Sequence, residues 1–107
     1  MASGVFLSDR AATSTISATT SSARAALPSI GGAGTVAAGS PNVRLYNAGS
    51  TAVFVSFGNS TVTASAAADM PLAPGSVEVF DRGDATHIAA ITGSGTATVY
   101  ITTGSGF

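Results

Sequence analysis

From Asn42 to the end of the chain, short apolar runs alternate with polar, glycine-rich links, and within each run apolar and polar positions take turns. A period of two marks a strand with one face in a core and the other outside it. The run from Thr96 to Thr102 keeps this most strictly, with Ala97, Val99 and Ile101 on one face and Thr96, Thr98, Tyr100 and Thr102 on the other. The same alternation selects Val43 and Leu45, Val53, Val55 and Phe57, Val77 and Val79, and Ile88 and Ala90 as core positions. Tyr46, Phe54, Phe80 and Tyr100 then fall on outward faces, where either a covering segment or a partner must meet them.

The links carry recognisable turn chemistry. Asn47-Ala48-Gly49-Ser50 separates the runs Val43 to Tyr46 and Ala52 to Phe57, and a short polar link containing glycine suits a hairpin. Gly58-Asn59-Ser60 ends the second run, and Thr61 to Ala68 reads as a weak strand or a loop. Pro71 and Pro74 forbid a central strand around Leu72, and Pro74-Gly75 is a turn that launches Ser76 to Phe80. Asp81-Arg82-Gly83-Asp84 turns again before a strand from Thr86 to Thr92, and Gly93-Ser94-Gly95 leads into the last run.

The N-terminal third is less patterned. Thr13 to Ala26 alternates small residues around Ile16, Ala18 and Thr20 and reads as strand, although Ser21 to Leu27 has the composition of a short helical stretch as well. Pro28 to Pro41 is a Gly/Ala/Ser loop, and residues 1–12 read as an arm preceding a single domain over residues 13–107. Many short strands at regular spacing in a chain of 107 residues predict one all-β domain, a small antiparallel β-sandwich of jelly-roll-like form with an extended N-terminal arm.

Composition narrows the function. Charged residues make up 8% of the chain, against about 25% in ordinary domains, and lysine is missing. Arg10, Arg24, Arg44 and Arg82 are scattered, and without clustered positive charge there is no footprint for nucleic acid. No run of about 18 apolar residues appears, so no spanning helix is expected, and MASGVFLSDR lacks the basic start of a signal peptide, so synthesis in a cytoplasm is expected. The absence of cysteine removes disulfides and thiolate metal cages, and a domain this small buries only about two-thirds of its unfolded surface. Its modest stability is therefore expected to be completed by partners.

Catalytic chemistry needs an oriented titratable group, and the chain offers one histidine and five carboxylates. Asp81, Asp84 and His87 have a spacing of three that could be drawn as metal ligands, but they straddle a turn and a strand start. Turn-stabilising aspartates beside a rim histidine account for the same letters. The Gly-x-Ser-x-Gly elbow does not occur, and Gly32-Ala33-Gly34-Thr35-Val36-Ala37 matches a dinucleotide fingerprint without the strand and helix that must flank it. Arg82-Gly83-Asp84 resembles the adhesion tripeptide recognised by integrins and is equally ordinary turn chemistry. No enzyme activity, cofactor or metal is expected.

The segments VRLYNAGSTAVFVSFG (43–58), MPLAPGSVEVF (70–80) and IAAITGSGTATVYITTGSG (88–106) resemble small virion proteins of tailed bacteriophages, of the capsid decoration or cement class. That resemblance implies a compact β-sandwich on the outside of the head that clamps neighbouring copies of the major capsid protein, with self-association as a dimer or trimer. It implies no fixed site residues. Apolar residues at otherwise small-residue ends, Val5, Phe6 and Leu7 in the arm and Phe107 at the far end, together with Arg82 and Asp84 on a turn, are the expected partner contacts. A head-fibre or receptor-binding module and a head–tail connector are the alternative readings.

Overall fold

The computed structural model describes residues 7–27 and 42–105, and these form eight strands and no helix. The strands are β1 (Leu7–Ala18), β2 (Ala23–Ala26), β3 (Asn42–Asn47), β4 (Val53–Gly58), β5 (Met70–Leu72), β6 (Val77–Asp81), β7 (His87–Thr92) and β8 (Ala97–Ser105). They make two antiparallel four-stranded sheets, one ordered β1-β8-β3-β6 and the other β2-β7-β4-β5, packed as a sandwich. The pairs nest: β1 lies on β8, β2 on β7, β3 on β6 and β4 on β5, so the chain runs as one long hairpin wound into two layers.

Inward-facing side chains of the two sheets meet in one core. Val43, Leu45, Val99 and Ile101 from the first sheet and Val53, Ile88 and Ala90 from the second are fully buried, joined by Ile16, Val55 and Leu72. Burial of this kind is the main stabilising term, at roughly 25 cal/mol per Å² of apolar surface. Apart from the leucines and isoleucines, the buried apolar side chains are valines and alanines, so the layer between the sheets is built from short aliphatic groups.

Three strand-level expectations change. Val77 and Val79 do not enter the core: Val77 is 43% exposed, and both lie on the outward face opposite Tyr46 and Arg44. Directly opposed residues in an antiparallel pair share a face, so the partners of buried Val43 and Leu45, which are Phe80 and Glu78, are the inward positions of β6. Phe80 packs on the core with its ring 5.7 Å from that of Phe57. An edge strand with valines on one face and a phenylalanine on the other cannot be phased by hydrophobicity alone.

The Asn47 to Ser50 link is not a hairpin either. It carries the chain from β3 in one sheet to β4 in the other. Asn47 holds this crossing: fully buried, it donates from Nδ2 to the Thr51 and Leu72 carbonyls, both at 2.9 Å, and accepts from the Gly49 amide at 2.9 Å. A Cβ on Gly49 would collide with Ala97, whose Cα would be 2.8 Å away, so the crossing requires glycine at this point.

Residues 7–12, expected within the arm, belong to β1. Leu7 pairs with Ser105, Ser8 with Gly104, and the register shifts before the regular pairing of Thr13 to Ala18 with Thr102 to Ala97. The run from Thr13 to Ala26 is strand, as read, but bends at Thr19 to Ser22 and changes sheet there, with the Thr19 carbonyl accepting from the Thr92 amide at 2.7 Å. Pro71 sits in the three-residue edge strand β5, one of the few places a sheet tolerates proline.

Candidate interaction surface

The two sheets differ in what lies on their outward faces. Over β2-β7-β4-β5 runs the loop from Asn59 to Asp69, the segment whose composition left strand and loop open. Arg24 Nη1 donates to the Val62 carbonyl at 3.0 Å, the Ala64 amide donates to Ser22 Oγ at 2.9 Å, and the Val62 side chain occupies the space that a Cβ on Gly58 would need. Ala89, turned outward by the pleat opposite Arg24 and Ser56, is fully buried.

The face of β1-β8-β3-β6 is different. Pairing registers place Thr15, Tyr100, Tyr46 and Val77 in one row across four strands, and Thr13, Thr102, Arg44 and Val79 in the next. Tyr46 and Tyr100 stack with ring centroids 5.9 Å apart and planes 23° from parallel. Such a cross-strand pair contributes about 1 kcal/mol beyond its buried area and holds both rings in a fixed pose. Tyr46 is 40% and Tyr100 42% exposed, so the ladder presents a rigid apolar surface rimmed by hydroxyls. Thr13 and Thr102 add a hydroxyl–hydroxyl bond of 2.8 Å in the neighbouring row. Arg44 is the one charged side chain in these two rows.

The residues singled out on the turn after β6 have a different role. Arg82 is buried; its Nε and Nη2 both donate to the Ala85 carbonyl, at 3.2 and 3.1 Å, and the Ala85 amide returns a bond to the Arg82 carbonyl at 3.0 Å. Burial lowers the Arg82 pKa from its ordinary value by desolvation, yet arginine keeps its charge. Asp81 Oδ1 accepts from the Gly83 amide at 2.9 Å, and Gly83 takes a φ of 55°, the left-handed conformation that glycine adopts without strain. The guanidinium is thus folded onto its own turn while Asp84 stays exposed, an arrangement unlike an adhesion loop that offers both ends of the tripeptide.

Leu27, Arg82, Asp84, Thr86 and His87 line a shallow cavity of about 440 Å³ beside this turn, with His87 Nδ1 bonded to Thr86 Oγ1 at 2.8 Å. Among the described residues no group of three or more His, Cys, Asp or Glu side chains gathers around a point, and the Asp81, Asp84, His87 spacing does not converge. Of the other expected contacts, Leu7 is in β1, while Val5, Phe6 and Phe107, with the glycine-rich segment 32–37, lie outside the described residues.

Tyr46 and Tyr100 were legible as outward aromatics, and the registers add that they stand side by side. Val77 was missed because it and Val79, two positions apart, made the wrong face of β6 look like core. Comparison with protein-family models, with curated proteins and with solved structures finds no match for this chain.

Proposed function

We propose that this chain is a cement protein of a tailed bacteriophage, binding the outer surface of the major capsid protein shell and stabilising the head. The single observation that carries the reading is the exposed Tyr46–Tyr100 ladder with Val77 on an outward sheet face, on a chain with only 8% charged residues. Interface centres are depleted in charge and enriched in tyrosine, because a rigid amphipathic ring gives contact area at little entropic cost. A face of aromatic, valine and threonine side chains meets that description.

The nested strand pairing is what a jelly-roll winding produces, and jelly rolls are a frequent architecture of viral capsid domains. A core of short aliphatic groups suits a protein that finishes its stabilisation on assembly, since a partner that binds only the folded state adds to its stability. Repetition over a shell turns modest contacts into avidity, with copies of the chain also associating with one another. In this reading the protein is made in the host cytoplasm, acts at the virion surface and needs neither catalysis nor cofactor.

The test is cosedimentation of the purified chain with heads assembled without it. Saturable binding is expected, weakened about 30-fold or more by Tyr46→Ala with Tyr100→Ala, in line with about 2 kcal/mol for a central aromatic contact. Absence of binding, or binding indifferent to both tyrosines while the variant stays folded, overturns the proposal.

A further inference from the structure

We infer that the outer edge of β1, which meets no other strand among the described residues, pairs with the same edge of a second copy, through the backbone groups of Thr13, Thr15 and Ser17. In an antiparallel sheet the N–H and C=O of one residue point to the same side, and successive residues point to opposite sides. The Ala48 amide donates to the Thr98 carbonyl at 2.9 Å, so Thr98, Tyr100 and Thr102 of β8 direct their backbone groups at β3. Val99 and Ile101 must then serve β1, where their partners are Ile16 and Ser14. This leaves Thr13, Thr15 and Ser17 aimed at the open side of the sheet. Thr19, next in that series, confirms the phase, because its carbonyl reaches away from β8 to the Thr92 amide.

Edges of natural sheets are usually blunted by brevity, proline, bulges or charge. The other edges here are: β5 has three residues and Pro71, β2 has four residues and Arg24, and β6 carries Glu78 and Asp81. Between Thr13 and Ala18, β1 has no proline, no charge and no register break. The nearest ionisable residues along the chain are Arg10 and Arg24.

A second copy is the occupant that this geometry fits. Across a two-fold axis at Thr15, Thr15 opposes its own copy, Thr13 opposes Ser17 and Ser17 opposes Thr13. Each opposed pair exchanges two backbone hydrogen bonds, so all the free groups of the trio are satisfied at once. No like charges are brought together. Six paired residues make an interface well below the roughly 800 Å² per partner of a stable dimer, so the association is weak in solution and strengthens where copies are held at high local concentration. This names the surface for the self-association in the proposed function and rests on that reading only for its biological setting.

Sedimentation equilibrium on the full chain, from about 10 μM to about 1 mM, should show mass rising from 10.3 kDa toward twice that value. Thr15→Pro removes one edge donor and none from the β1–β8 ladder, so it should keep the β circular-dichroism spectrum and weaken dimerisation about tenfold or more. A separate measurement on the unmodified chain avoids any folding defect: exchange of the Thr15 and Ser17 amides should slow as concentration rises, while Ser14 and Ile16 stay protected throughout. A monomer across the whole range, or a dimer in which Thr15 and Ser17 exchange independently of concentration, overturns the inference. Loss of capsid binding with intact dimerisation would count against the cement reading alone.

Discussion

Replacing Asn47 by alanine removes the polar post that ties the two sheets together. The side chain makes three hydrogen bonds at 2.9 Å, to Thr51, Leu72 and Gly49, and is fully buried, so water cannot step in without opening the end of the sandwich. Each bond contributes about 1 kcal/mol net, and the buried Leu72 carbonyl left unpaired adds a desolvation cost of about 1 kcal/mol. Asn47→Ala should therefore cost about 4 kcal/mol, a large share of the 5–15 kcal/mol typical of a domain. Tm should fall by about 15 °C or more, and the urea midpoint should drop with an unchanged slope. Asn47→Asp keeps the acceptor for Gly49 but loses both donated bonds, so it should be no better at neutral pH. A loss below about 1 kcal/mol for alanine would refute the reasoning, because it would mean that the crossing is held by its backbone alone.

Other substitutions separate the packing claims. Phe80→Ala should destabilise by about 2 kcal/mol in urea melts, whereas Val77→Thr should stay within about 0.5 kcal/mol, the reverse of what strict alternation implies for β6. Gly49→Ala should cost about 2 kcal/mol or more, since the methyl group meets Ala97 including its backbone, and chemical denaturation reads this directly. Ser14 Oγ is buried without a hydrogen-bond partner among the described residues, so Ser14→Ala should raise stability by up to about 1 kcal/mol in the same assay.

Strand existence was written plainly in the chain because short apolar runs with period two leave few alternatives, and β8 with Ala97, Val99 and Ile101 inward follows its pattern residue for residue. Partnership was not. The same Asn-Ala-Gly-Ser letters serve a hairpin within one sheet and a crossing between two, and only the buried Asn47 side chain, bonded to Leu72 on the facing sheet, distinguishes them. Among consecutive strands only β4 and β5 pair with each other, so turn chemistry located the reversals without stating which strands meet. The face of β6 was misread for a related reason: Val77 and Val79 are as apolar as core residues, and it is the register against Val43 and Leu45 that turns Phe80 inward.

The same limit applies to the surface. Tyr46 and Tyr100 each read as outward aromatics, but a sequence of 107 residues does not say that positions 46 and 100 stand 5.9 Å apart. Arg82, by contrast, looked like an exposed turn residue and is a buried brace, because its guanidinium finds the Ala85 carbonyl within its own turn. Charge on a turn identifies a residue able to reach solvent, and local acceptors decide whether it does.

The proposed role is cementing a phage capsid, and imaging intact particles that carry the chain tests that most directly. Density matching the eight-stranded sandwich should sit on the outside of the shell, repeated by its symmetry, with the Tyr46–Tyr100 face turned to the major capsid protein. Density confined to the tail or the head–tail junction would contradict the account.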